Sequence, residues 1–170
     1  YFQAGDKHDW LERQEAVEDR RSKAQHIDRR TRDQVFIGNE ENEKEHGIQG
    51  SSYLGKGNKG INSDLSWRTG TDSLGFSYRM RLGDASPNIV YLQFMGPAHY
   101  ENWDCRIMAD TIQLEKFTRG KEKSSPMLIT REYEIPGGYS NRKDSVRIRF
   151  IPSGSWQMPR VCDIRILGEE

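Results

Sequence analysis

The chain has 170 residues with 26 Lys and Arg against 26 Asp and Glu, so no net field draws it to nucleic acid or to an anionic membrane. No apolar run approaches the roughly 20 residues that cross a bilayer, and no signal peptide is visible. The hydrophobic share of 34% is low for a globular protein, but the deficit lies in the first third, and the remainder suffices for one well-buried domain with an arm.

The opening YFQAG reads as the remnant of a protease-cleavable purification tag, so residues 1–5 are set aside from fold reasoning, and a missing signal says nothing of where the protein lives. From Asp9 to Arg32 there is no Gly or Pro, and good helix formers dominate. Trp10, Val17, Ala24 and Ile27 recur near a seven-residue period with Leu11 beside them, a thin apolar stripe on a charged rod. Such a stripe docks on something but builds no core. The bland expectation is a solvated helix packed along one side of the domain; the sharper one is a linker helix, residues 6–34, reaching from a larger protein.

Residues 35–170 are assigned to the domain itself. Val35 to Thr71 shows little periodicity and reads as a long connection hiding short strands. Within it GSSYLGKG, Gly50 to Gly57, has most of the spacing of a phosphate-binding loop. The motif fails on its chemistry: Gly57 follows Lys56 where a hydroxyl must hold Mg²⁺, the acidic NEENEKEHGIQ before it is no buried strand, and GNKGINSD after it opens no helix. The stretch is expected to be a glycine-rich loop covering the domain, with Lys56 exposed.

From Leu74 the pattern turns to period two. LGFSYRMRL sets Leu74, Phe76, Tyr78, Met80 and Leu82 on one face, and NIVYLQFM, WDCRIMA, TIQLEKF, MLITREYEI, SVRIRFI and VCDIRIL follow, separated by turn-forming GDASPN, GPAHYEN, PGGYSNRKD and PSGSWQMP. Seven such strands without intervening helices predict an all-β fold: an antiparallel β-sandwich or jelly roll with an N-terminal α-helix. The outward faces carry Arg79, Arg81, Arg106, Arg131, Arg147, Arg149 and Arg165, and interleaved Asp104, Glu132, Glu134 and Asp163 predict cross-strand charge pairing there. Cys105 and Cys162 both fall on predicted inward faces, as free thiols or as a disulfide across the core.

No constellation proposes an enzyme. The histidines His8, His26, His46 and His99 show no metal-ligand spacing, no GxSxG elbow occurs, and the acidic run Glu40, Glu41, Glu43 and Glu45 lacks the EF-hand pattern. No metal or cofactor is expected. Binding is better supported, because aromatic faces stack on sugar C–H surfaces while amides, carboxylates and guanidinium groups hydrogen-bond hydroxyls. The candidate ligand-binding residues are His99, Tyr100, Asn102, Asp104 and Arg106 around GPAHYENWDCR, Trp156 in GSWQMPR, and the Trp67–Arg68 pair. By its period with Cys105 and Ile107, Trp103 reads as inward-facing core.

Taken together, RDQVFIGNEENEKEHGIQG, the Trp67–Arg68 pair, LGFSYRMRL, WDCRIMAD and the closing VCDIRIL resemble a C-terminal β-sandwich module, a domain of unknown function, appended to β-L-arabinofuranosidase-type glycoside hydrolases. The Gly-aromatic-Ser-Tyr strand is matched by Gly75, Phe76, Ser77 and Tyr78, and the aromatic-Asp strand by Trp103, Asp104 and Ile107; Ala109-Asp110-Thr111 departs from the Asn-Gly or Asp-Gly turn usual after that strand. The resemblance implies a galactose-binding-like sandwich joined by a helical linker to an upstream catalytic domain of the same protein. It also implies an extracytoplasmic location, periplasmic or at the cell surface, and none of the family's catalytic residues carries over. The expected role is a non-catalytic, carbohydrate-binding accessory domain that takes a neutral oligosaccharide, or else a structural domain bracing the catalytic one.

Overall fold

Alternating apolar residues make strands that must bury one face, and here two sheets bury theirs against each other. A computed structural model describes residues 4–58, 61–84, 87–95, 104–117, 128–140, 142–153 and 158–169. In chain order its elements are helix α1 (Ala4–Arg30), β1 (Thr31–Val35), helix α2 (Glu40–Glu45), β2 (Gln49–Gly50), β3 (Ser52–Asn58), β4 (Ile61–Gly70) and β5 (Phe76–Arg81). They continue with β6 (Asn88–Met95), β7 (Cys105–Ala109), β8 (Ile112–Phe117), β9 (Leu128–Ile135), the short helix α3 (Gly137–Ser140), β10 (Ser145–Pro152) and β11 (Arg160–Leu167).

The first sheet runs β3-β4-β11-β6-β9, with β1 also paired to β11; the second runs β2-β5-β10-β7-β8. All pairings are antiparallel, so the expected sandwich with its N-terminal helix is the fold found. Strand β11 is the hub of the first sheet. One flank pairs with β6, while the other is shared by β1, opposite Ile164 to Leu167, and by β4, opposite Val161.

Between the sheets Phe76, Tyr78 and Met80 of β5 and Val146, Ile148 and Phe150 of β10 meet Val90, Leu92 and Phe94 of β6 and Ile164 and Ile166 of β11. Phe76 stacks on Phe150 with ring centroids 4.9 Å apart. Each such fully buried side chain contributes about 1.5–3 kcal/mol through the apolar area it removes from water.

Four expectations are corrected. GSSYLGKG is not a covering loop but the end of β2 and most of β3, an edge strand hydrogen-bonded to β4. Leu74 is 77% exposed and leaves the core face, because the chain is still turning around Asp72, whose carboxylate accepts from the Leu74 N–H at 2.9 Å. Helix α1 is not packed along the domain: residues 9–26 are exposed throughout, and contact with the sandwich is confined to its last turn, where Asp28 meets Arg165 at 2.6 Å and the Arg30 carbonyl accepts from Gly168. Cys162 does not share a core face with Ile164, because the β11 register shifts between Val161 and Asp163 and turns it outward against Trp67 and Met95. Cys105 stays between the sheets, so both thiols are free and a core disulfide is excluded.

Candidate functional site

The open flank of β5 organises the site. An edge strand must have its N–H groups paired or covered, and here three separate segments do this in turn. Strand β2 pairs with Phe76 and Ser77, the His46 carbonyl accepts from the Arg79 N–H at 2.7 Å, and the Asp33 carboxylate accepts from the Arg81 N–H at 2.6 Å. The other oxygen of Asp33 lies 3.1 Å from His46 Nε2, while His46 Nδ1 donates to the Asn42 carbonyl at 2.7 Å. With an acceptor at each ring nitrogen, His46 is fully engaged and has no nitrogen left to serve as a base toward a nucleophile.

Helix α2 is held in place by its one buried side chain. Asn39 caps it, accepting from the Asn42 N–H at 3.0 Å, which is what this residue type does at a helix start. One turn on, Glu43 is 2% exposed and accepts a bidentate pair from Arg68, Nε at 2.6 Å and Nη2 at 2.8 Å, plus the Tyr78 hydroxyl at 2.6 Å. Burial pushes the Glu43 carboxyl up, but the hydrogen bonds from Arg68 and Tyr78 and the Arg68 charge outweigh it and hold the group below its ordinary range. Burial beside the same carboxylate pushes the Tyr78 hydroxyl well up, so it acts as a donor throughout. The remainder of the acidic run stays at the surface, with Glu40 paired to Lys44 at 2.6 Å, and no metal-binding group forms among the described residues.

In front of α2 and β1 opens a cleft of about 1120 Å³, bordered by β5 and by the approach to β10. Its walls include Arg79, Arg81, Arg142 and Lys143, with the ring of Phe36, 54% exposed, at one side. A smaller adjoining hollow of about 470 Å³ brings in Arg147 and Asp110. The β5–β10 register sets Arg147 directly opposite Arg79, with Arg81 opposite Ser145 and Arg149 opposite Ser77. The charge pairing expected across strands is replaced at Arg165 by a partner on its own strand, Asp163 at 2.8 Å, and among the described residues no carboxylate forms an ion pair with the arginines of this face. Arg147 donates to the Gly47 carbonyl at 3.1 Å and the Ser77 hydroxyl at 3.0 Å, and Arg149 to the Asp110 carbonyl at 2.6 Å, all neutral acceptors. Burial, then the charges of Arg79 and Arg149, lower the Arg147 guanidinium's hold on its proton, with Asp110 opposing.

Asp110 closes the β7–β8 turn beside this face in a left-handed conformation, φ 49°, which Asp tolerates better than most side chains. Its carboxylate accepts from the Tyr139 hydroxyl at 2.5 Å, the Arg147 N–H at 2.9 Å and Lys143 at 3.0 Å. That carboxylate is therefore spent on the turn and on Lys143.

The sequence profile of DUF6805, a family of unknown function, matches residues 26–167, from the last turn of α1 through β11. The chain belongs to DUF6805. Among curated proteins no sequence matches it. Among solved structures it is similar to the exo-β-1,3-galactanase of Phanerochaete chrysosporium with β-1,3-galactotriose, at 13% identity and a TM-score of 0.42. The alignment covers 73% of this chain and 28% of that one, so the DUF6805 chain spans under a third of the galactanase's length.

Of the residues singled out for binding in this DUF6805 chain, those that are described, Trp67, Arg68, Asp104 and Arg106, do not converge. His99, Tyr100, Asn102 and Trp156, with Trp103, lie outside the described residues. Trp67 and Arg68 sit on opposite faces of β4. Arg68 points inward to Glu43, while Trp67 is 8% exposed on the outer side, its ring lying over Gly55 with the Arg160 guanidinium 4.4 Å from the ring centroid. Neither ring face is open to a sugar. Asp104 is half-buried with its carbonyl accepting from the Ser153 N–H at 2.8 Å. Arg106 is exposed opposite Ile151 and lies on the same outer face as Arg149, so of the described candidates it alone joins the arginine-rich sheet. Asp33, His46, Arg79, Arg81 and Arg147 were the residues to find. For the three arginines the signal was arginine at alternate positions of both SYRMR and SVRIRF, strands whose inward faces pair in the core.

Proposed function

We propose that this DUF6805 chain is a non-catalytic accessory module of a glycoside hydrolase, and that it holds a glycan in the cleft in front of α2 and β1. One observation carries the reading: the cleft is large enough for several sugar rings and combines guanidinium donors with the exposed ring of Phe36. Donors of this type bind hydroxyls and an aromatic ring offers a stacking face, while His46 in the wall is engaged at both ring nitrogens. The resemblance to modules appended to β-L-arabinofuranosidase-type enzymes supports the same role and an extracytoplasmic location. Isothermal titration of the chain against a panel of plant and host oligosaccharides tests it. Heat of binding that is abolished by Phe36→Ala is expected; a folded protein that yields no heat with any member of the panel sets the glycan reading aside.

A bracing role is favoured by a different observation. Helix α1 carries Trp10 and Val17 at 58% and 57% exposure on a rod that the sandwich leaves uncovered. An upstream domain of the same protein would cover them. Attaching that domain should raise the melting temperature of the sandwich and protect Trp10 from quenching by iodide.

A further inference from the structure

We infer that the ligand of this cleft is an anionic sugar, one whose carboxylate or sulfate is gripped by Arg79, Arg81 and Arg147; the inference rests on the glycan-binding reading and narrows it. The overall charge of the chain is zero, yet the outer face of β5 and β10 concentrates four arginines in adjacent register positions. Like charges placed directly opposite in a ladder oppose folding. Sheets usually relieve this with a carboxylate, and among the described residues none of these four guanidinium groups is in ion-pair contact with one.

Acidic side chains do line the cleft. Asp33 is engaged by His46 and by the Arg81 N–H, while Glu45, Asp84 and Asp144 show no ion pair with these four arginines. In the adjoining hollow Asp110 is engaged by Tyr139, Lys143 and the Arg147 N–H. Arg147 is steadied by Ser77 and Gly47, which fixes one guanidinium fork in place, and the exposed Arg79 and Arg81 side chains flank it across the strand pair. A planar fork with parallel N–H groups matches the two oxygens of a carboxylate or sulfate, and two or three such forks on one face prefer that group to a neutral hydroxyl. A negative group seated there would lift the repulsion between Arg79 and Arg147 on binding.

The test is calorimetric titration of the 170-residue chain with three probes, trigalacturonate, a chondroitin sulfate hexasaccharide and a neutral β-1,4-galactotriose. At least one anionic probe is expected to bind, with affinity that falls several-fold between about 20 and about 200 mM NaCl as screening shortens the range of the charges. Arg79→Ala with Arg81→Ala should weaken it by about tenfold or more with a melting temperature no lower than the parent's, and Arg79→Lys with Arg81→Lys should recover only part, since the charge returns without the fork. Which anionic probe binds separates carboxylate from sulfate. Galactotriose binding as tightly as the charged probes, or charged probes binding equally well to the double alanine variant, overturns the anionic assignment while glycan binding stands. Silence from all three probes and from a wider glycan panel overturns both.

Discussion

Arg79 and Arg147 face each other directly across the β5–β10 ladder, and among the described residues no carboxylate is in ion-pair contact with either. A sheet built only for stability would not keep that pair. Replacing Arg79 with Thr, a good strand former, removes the repulsion and should stabilise the chain by about 0.2–1 kcal/mol, read as a higher urea midpoint at unchanged slope. Loss of stability instead would mean that Arg79 is held by an attraction and that the face is not strained.

Glu43 is the anchor of α2, and its removal should be felt across the domain. Glu43→Ala leaves the Arg68 guanidinium and the Tyr78 hydroxyl without their acceptor and is expected to cost about 3–5 kcal/mol. The double change Glu43→Leu with Arg68→Met removes both charges and should recover most of that loss. Equilibrium unfolding of the three proteins makes the comparison; a single-variant cost below about 1 kcal/mol would place the pair among the weak surface ion pairs.

Acid should weaken the fold with a definite sign. Despite burial, hydrogen bonds hold the Glu43 carboxyl below 4.5, and those from Tyr139, the Arg147 N–H and Lys143 hold the Asp110 carboxyl below 3.8. As pH falls the unfolded chain therefore takes up these protons first, so the stabilisation is complete above about pH 5 and drains away below it. Asp163 works the other way, since burial lifts its carboxyl above 3.8 against Arg165 and Gln34, and its share favours the folded state more at low pH. Urea midpoints measured from pH 6 to pH 3 should fall, and Glu43→Gln should flatten the descent.

Neither cysteine should react while the chain is folded. Burial pushes the Cys105 and Cys162 thiols up to about 12 each, so almost no thiolate exists at neutral pH. A thiol reagent is expected to label neither in buffer and both in denaturant, and mild oxidation should produce no internal disulfide, because the two lie on opposite sides of the first sheet. Rapid labelling of Cys162 would show that the Trp67 cluster opens readily.

Gly55 should tolerate no side chain. A Cβ there would stand 2.2 Å from Trp67 Cζ2, inside the ring that donates its indole N–H to the Gly57 carbonyl at 2.9 Å. Gly55→Ala is expected to lower the melting temperature and shift the tryptophan emission to the red, and an unchanged spectrum would show that the ring lies elsewhere.

Where period two was strong the sequence announced the fold. The strands from Phe76 to Leu167 have their apolar residues where alternation puts them, because burial of one face leaves a strand no other register. Residues 35–71 concealed three strands, since β2 is only two residues long and β3 and β4 form an edge hairpin, with Tyr53 and Leu54 exposed on β3, and weak burial leaves weak alternation. Cys162 was misplaced by a bulge, which one sequence does not advertise. The site was hidden for another reason: arginines and acids were both visible, but which arginines find an acid depends on which strands become neighbours. Arg165 has Asp163 two residues away, whereas the ladder sets Arg79 opposite Arg147.

The place of β11 has a consequence for how the chain comes to be folded. The strand that β1, β4 and β6 all need is the last of the domain to be made, and β1 waits some 130 residues for its partner. Until residues 160–167 leave the ribosome, the first sheet is a set of ribbons without a centre, and the apolar faces of β6 and β5 have little to close upon. Folding of this unit is therefore a late, long-range event, slow in the manner of domains rich in distant contacts. A nascent chain stalled before Arg160 should be protease-sensitive along its whole length, and release of the final strand should protect it in one step.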